Sequence, residues 1–290
     1  VRVGEETLGG IATLDGFGRG TVLTGAAALD LSATALLVDV VTTDAPGGTR
    51  FSADTRADAF KVLGGPGFDV LVGEGLTFTR AERAWFLFTR DVERVVDEAG
   101  GHEASTLGPG IVVLTPGDDV LAPDSADVEV VADALTLDPG DSLEAGAGSD
   151  RLSLFGAGSF DLQALAAFSG FETVFVGDRS EPSETVPSPV ILQLPGAGAL
   201  DLVEVDVASV ADVLAGGTLA IGEIRGGEGT QDRVFLSGAA DVGTVDLAGS
   251  GFDLVEVIDG ASVDAIRADG SAQFLISTSG QRSEEHTSEL

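Results

Sequence analysis

Aspartates set behind closely spaced glycines are the residues of this chain best placed to do chemistry. The stretch GGPGFDVLV (64–72) puts Asp69 after Gly64, Gly65 and Gly67, and AGAGSDRLS (145–153) and AGSGFDLVE (248–256) place Asp150 and Asp253 alike. GGEGTQDRVF (226–235) carries Asp232 with one residue inserted, and TPGDDVLAP (115–123) keeps only the Gly-Asp-Asp centre around Asp119. Glycine permits the positive φ of a tight turn, and aspartate adds a hard, charged oxygen of the kind a hard cation takes. The composition points the same way. With 48 acids against 15 bases the net charge is −33, which argues against nucleic acid and anionic membrane surfaces, both of which require a basic footprint.

Catalytic machinery is missing from the motifs. There is no cysteine, so disulfides, thiolate nucleophiles and thiolate metal sites are excluded. The chain has no G-x-S-x-G elbow, no H-E-x-x-H and no Walker loop. GFGRG (16–20) follows a strand-like IATL but lacks the G-x-G-x-x-G spacing, and reads as a turn. His102 is the one histidine outside the last nine residues, and in a Gly/Glu loop it reads as solvated surface. Carboxylate pairs could be drawn almost anywhere among so many acids, so none is singled out. No catalytic residue and no organic-cofactor site is expected, and the chain is expected not to be an enzyme.

What must position the aspartates is a set of strands on a fixed beat. From residue 218 onward TLAIGEI, DRVFLSG, GTVDLAG, DLVEVIDG, VDAIRADG and AQFLIST alternate with Gly/Asp/Ser turns, the spacing of a short strand plus a turn. A shift of 21 residues lays TVDLAGSGFDLVEV (244–257) on AIRADGSAQFLIST (265–278). Gly249 then meets Gly270, Ser250 meets Ser271, Leu254 meets Leu275, Val255 meets Ile276, and Asp232 meets Asp253. Two strands and two turns per repeat describe one coil of a solenoid that buries the inward half of each strand. A sandwich also has regular short strands, but does not need like residues at a constant shift.

The expected fold is all-β, a right-handed parallel β-solenoid of the β-helix or β-roll type with short helical inserts. One insert is marked by Thr79 and Glu82, spaced as a capping box, with Ala81, Ala84, Trp85 and Phe88 on one face. A second is expected after Asp161, with Leu162, Leu165 and Ala166 apolar and Gly170 as the stop. Trp85 reads as a core plug for the first. The prolines of TVPSPVILQLP (185–195) are incompatible with a central strand, so a break is expected near 179–195. Hydrophobic residues make up 43% of the chain, enough for a core and too many for disorder. No run approaches a membrane span.

GGPGFDVLV matches G-G-x-G-x-D-x-U-x at every defined position, and here the chain resembles the RTX, or haemolysin-type calcium-binding, proteins. The resemblance implies Ca2+, held between stacked turns at Gly65 and Gly67 and by Asp69, Asp119, Asp150, Asp232 and Asp253 as carboxylate ligands. Calcium wants six to eight oxygens, so one turn is half a site. The sequence departs from the family in its spacing: the five aspartates lie 50, 31, 82 and 21 residues apart, so only Asp232 and Asp253 are one coil apart. The competing role for each is to cap the amides of its own turn. Calcium is favoured at Asp69 and at the Asp232/Asp253 pair, capping at the weaker copies taken singly.

The implied function is a structural or adhesive calcium-binding segment of a large bacterial extracellular or surface protein, exported by type I secretion, with a cell-surface glycan or protein as adhesive partner. Two alternatives stay open: a non-catalytic region of a type I-secreted hydrolase or toxin, and a polysaccharide lyase-like β-helix, for which Arg50, Arg56, Arg80 and Arg83 are the only local basic cluster. The closing RSEEHTSEL (282–290) reads as a first-frame translation of a common short-read sequencing adapter. Residues 1–281 are therefore expected to be a solenoid fragment of a larger protein and 282–290 a non-native tail.

Overall fold

The computed structural model describes residues 2–3, 13–15, 21–32, 35–37, 40–123, 126–178, 190–207, 210–227, 231–247, 253–258, 260–268 and 273–277. The turn at 16–20, the tail at 282–290, residues 179–189 and the aligned turns around Gly249 and Gly270 lie outside them. The described residues wind into a parallel β-solenoid of about ten turns. Pairing is parallel throughout, apart from Gly100–His102, which folds back antiparallel on Arg94–Asp97.

Two stacks make up the solenoid, and no strand pairing links them among the described residues. The first holds Thr21–Thr24, Val40–Thr43 and Val62–Leu63 on one sheet and Ala28–Asp30, Arg50–Ala53, Val70–Gly73 and Arg94–Asp97 on another. The second is built on an eight-stranded sheet running from Ile111–Val113 to Ser262–Ala268, faced by a six-stranded sheet from Gly158–Asp161 to Gln273–Ser277 and a small three-stranded one. Sheets of the second stack run through the position of the expected break. Thr173–Asp178 pairs with Ala197–Val207, and Val190–Gln193 lies between Gly158–Asp161 and Val210–Ala215. So part of the expected loop is a central strand: it starts after Pro189 and ends before Pro195, and neither proline has to donate to the ladder.

Stacking turns the period-2 pattern of each strand into columns of identical environment. Val130, Leu152, Val174, Val203, Ile224 and Val245 pair in succession and all are buried; each contributes about 1.5–3 kcal/mol by leaving water. Outside the same sheet, Glu204, Arg225, Asp246 and Arg267 pair in order, an alternation of sign that places scarce arginines between acids. The 21-residue shift holds for Thr244 on Ala265. It fails on the facing sheet, where Leu254 pairs with Gln273 and Glu256 with Leu275. The last turn is two residues shorter, so the expected pairs Leu254–Leu275 and Val255–Ile276 do not form.

Among the described residues two α-helices sit on the first stack. Helix α1, Arg56–Lys61, is capped by Thr55. Helix α2, Arg80–Thr89, starts at Thr79 with the full capping box to Glu82, and no described helix is long and apolar enough to cross a membrane. Trp85 is buried and stacks on Phe60 with ring centroids 4.8 Å apart. Phe88, expected on the buried face, is 52% exposed, while Phe86 takes the inner position. Phe88 shares the face of Ala81, Ala84 and Trp85 by rotation, but it lies in the last turn of the helix, beyond the buried stretch that ends at Phe86. The second expected helix is absent. Asp161 ends a strand and its Oδ1 accepts the N–H groups of Gln163 and Ala164 at 3.0 and 3.1 Å, a turn and not a helix start. Ala167–Ser169 must pair with Ser142–Glu144 to continue the coil, which leaves too few residues for helical turns. Leu162 and Leu165 are buried as core all the same.

Glycine matters where turns stack. Gly48 has φ +83°, and a Cβ there would meet the Phe68 carbonyl oxygen at 2.0 Å. Gly75 has φ +72° with open space around it. Gly75→Ala should therefore cost about 1 kcal/mol, the left-handed penalty alone, and Gly48→Ala several times that, because backbone must move. Equal thermal midpoints for the two variants would contradict this account of the stacked turns.

A carboxylate ladder at the corners

Each candidate aspartate sits at a corner where a turn enters a strand, so its surroundings follow from the stacking of coils. Asp69 precedes Val70–Gly73 and is fully buried. Its Oδ2 accepts the Gly65 N–H of its own turn at 2.8 Å and its Oδ1 the Thr49 N–H of the preceding coil at 2.6 Å. Its own N–H donates to Glu93 Oε2 of the following coil at 2.5 Å. The arrangement recurs: Asp119 N–H donates to Asp141 Oδ1 at 2.8 Å, Val128 N–H to Asp150 Oδ1 at 2.8 Å, Asp150 N–H to Glu172 Oε2 at 2.7 Å, and Asp232 N–H to Asp253 Oδ1 at 3.3 Å. In every rung the acid belongs to the later coil and stands where it meets the amide that the strand ladder leaves over, so a buried donor is satisfied.

Own-turn capping is present too. Asp119 Oδ2 accepts Thr115 N–H at 2.7 Å and Asp232 Oδ2 accepts Gly227 N–H at 3.1 Å. Of the five aspartates, Asp69, Asp150, Asp232 and Asp253 are buried and Asp119 is half-buried. The structure brings together only Asp232 and Asp253. Asp69, Asp119 and Asp150 lie at the corners of three other sheets. Gly65 and Gly67 hold the Asp69 turn against its neighbour: a Cβ on Gly65 would meet the Thr43 carbonyl oxygen at 2.1 Å, and one on Gly67 the Gly48 nitrogen at 2.3 Å.

Three rungs lie outside the glycine pattern: Glu93, Asp141 and Glu172. Their signal is an acid one residue ahead of a strand, 24, 22 and 22 residues after Asp69, Asp119 and Asp150, and it needs the strand register to be seen. Among the described residues the ladder leaves two oxygens over, for Asp150 Oδ2 and Asp253 Oδ2 are buried without a hydrogen-bond partner. Among the described residues no three His, Cys, Asp or Glu side chains are gathered closely enough to hold a metal by themselves, so any ion here draws on turn carbonyls as well.

Burial pushes the Asp69 carboxyl above its ordinary range, with the N–H groups of Gly65 and Thr49 opposing and Asp91 adding to the rise. Its folded form thus holds a proton that the unfolded form has released, and in that interval stability falls as pH rises. Asp91 is the one described non-glycine residue with positive φ, at 53°. The acid-rich Asp69 corner carries a cost that a cation would offset.

A second buried acid, Asp97, is a structural hub. His102 Nε2 lies 3.3 Å from its Oδ1, and the histidine side chain is only 19% exposed. That corrects the reading of His102 as solvated surface: its short strand folds back over Arg94–Asp97 and carries the ring onto the carboxylate.

Comparison with protein-family models, curated proteins and solved structures finds no match.

Proposed function

We propose that this chain is a structural or adhesive, calcium-stabilised rod segment of a large bacterial extracellular or surface protein that leaves the cell by type I secretion. The observation that carries the reading is the Asp232/Asp253 corner, two buried carboxylates one coil apart behind glycine-containing segments, with Asp253 Oδ2 lacking a partner among the described residues. An orphaned buried carboxylate oxygen is costly, and a hard cation is what it lacks. Asp232 and Asp253, and Asp69 in the nonapeptide turn, would hold Ca2+ together with carbonyls of their turns. The ion would supply charge neutralisation to a folded chain that carries −33 and repels itself. Extracellular modules bind calcium at about 10⁻⁴–10⁻³ M, so such a chain gains stability on export, by about 2.7 kcal/mol at a hundredfold excess over Kd.

Far-UV circular dichroism on thermal unfolding tests it, with CaCl2 titrated from none to several times that range and MgCl2 as control. Calcium is expected to raise the midpoint and magnesium not to. Asp253→Asn, which keeps an acceptor for the Asp232 N–H, should lose most of the response. Identical unfolding in chelator and in calcium would leave the carboxylates as corner caps alone.

A further inference from the structure

We propose that the cleft between α2 and the corners of the eight-stranded sheet binds a neutral, hydroxyl-rich ligand, a saccharide ring, with Asp150 and Arg151 as its main recognition residues. The cleft has a volume of about 290 Å³, at the small end of ligand pockets. Its walls are Arg80, the first residue of α2, and residues at four successive corners: Gly110, 127–129, 149–151 and Thr173. Unlike the Asp232/Asp253 corner, it sets two guanidiniums, Arg80 and Arg151, among three carboxylates, Asp127, Glu129 and Asp150. The guanidiniums offset most of the carboxylate charge, so a compact cation is held less strongly here than at the Asp232/Asp253 corner. Vicinal hydroxyls suit both, since each donates to a carboxylate and accepts from a guanidinium.

Asp150 supplies the second observation. It is 1% exposed, its Oδ1 is taken by the Val128 N–H at 2.8 Å, and its Oδ2 has no partner among the described residues. The other groups are already fixed. Arg151 lies 4.6 Å above the Phe175 ring, its Nε donates to Ser153 Oγ at 3.2 Å, and it pairs with Glu204 Oε2 at 3.5 Å. Asp127 Oδ1 accepts the Ser149 N–H at 2.9 Å, and Arg80 Nε donates to the Leu107 carbonyl at 3.0 Å. A polar wall held in place before the ligand arrives loses little entropy on binding. The inference rests on the adhesive half of the proposed function and not on its calcium half.

Titration calorimetry of the whole chain in calcium-containing buffer provides the test, with methyl β-D-glucoside, methyl β-D-galactoside and methyl α-D-mannoside as probes. At least one is expected to saturate with a millimolar Kd. Asp150→Asn and Thr173→Val should each weaken it about tenfold or more while the circular dichroism spectrum stays unchanged. Asp150→Asn keeps the acceptor for Val128, and Thr173→Val removes a half-buried hydroxyl outside the corner ladder, so at least one variant reports on the cleft with the fold intact. Three flat titrations overturn the assignment, as does saturable binding that both variants leave untouched. So does a CaCl2 titration of chelated protein that Asp150→Asn alone abolishes, because the cleft is then a cation site. Calcium stabilisation is read separately at Asp253, so failure here leaves that reading standing.

Discussion

Replacing Asp97 with alanine is expected to cost the folded chain about 3–5 kcal/mol, the range for breaking one side of a buried ion pair. Its side chain is fully buried and accepts from Arg83 Nε and Nη2 at 3.0 and 2.8 Å, from Phe78 N–H at 3.0 Å and from Ala99 N–H at 2.9 Å. Through them it ties α2, the loop entering it and the folded-back strand to one point. Alanine leaves a guanidinium only 15% exposed and two backbone donors without acceptors. Burial pushes the Asp97 carboxyl up, but the hydrogen bonds from Arg83, Phe78 and Ala99 and the Arg83 charge outweigh it and hold it below 3.8. The unfolded chain therefore binds the proton first as pH falls. The contribution is fully present above pH 3.8 and is lost as pH drops through the folded-state value. Urea unfolding at neutral pH and in acid measures both effects. A cost under 1 kcal/mol at neutral pH would mean that the Asp97 hub does not hold α2 in place.

Phe155→Ala should be nearly as damaging, at about 3–5 kcal/mol for a buried phenylalanine, and should act on the joint between the two stacks. Phe155 belongs to the second stack but points outward from its sheet into the cluster under the helices. Its ring lies 5.7 Å from Trp85, 5.9 Å from Phe60 and 5.9 Å from Phe175. With no strand pairing across the joint among the described residues, these aromatic contacts carry much of the coupling, with Val131, Ile111 and Val113 packed against the same cluster. Trp85 is the only tryptophan and is 4% exposed, so its emission reports directly. A red shift with an unfolding transition split in two is the expected result. A single transition within 1 kcal/mol of the parent chain would show that the stacks are joined elsewhere.

Much of the solenoid was legible from local pattern. A strand's inward face must be apolar, and stacking forces like residues into one column, so the beat of VFL, VDL and VEV segments and the shift that lays Thr244 on Ala265 are consequences of the fold written along the chain. The capping box at Thr79 and Glu82 is local too, and so was the buried Trp85. The helix expected after Asp161 misled because its apolar residues satisfy a helix and a coil corner equally. Only the demand of Ala167–Ser169 for a strand partner decides between them.

The candidate site divides along the same line. Glycine spacing singled out Asp69, Asp150, Asp232 and Asp253 and offered own-turn capping as the role competing with calcium, a role that Asp69, Asp119 and Asp232 take, because turn chemistry lies within a few residues. It was silent on Glu93, Asp141 and Glu172, and on His102 lying against Asp97, because those contacts join different strands of a sheet. Sequence alone determined which residues make turns and which face inward, both set by steric and hydrophobic preferences that act over a few positions. Tertiary structure decided which carboxylates meet, that Asp69, Asp150 and Asp253 each hold an amide of the coil before, and that Asp150 stands among arginines while Asp253 stands beside Asp232. Those follow from register, and register is fixed by the length of every turn between.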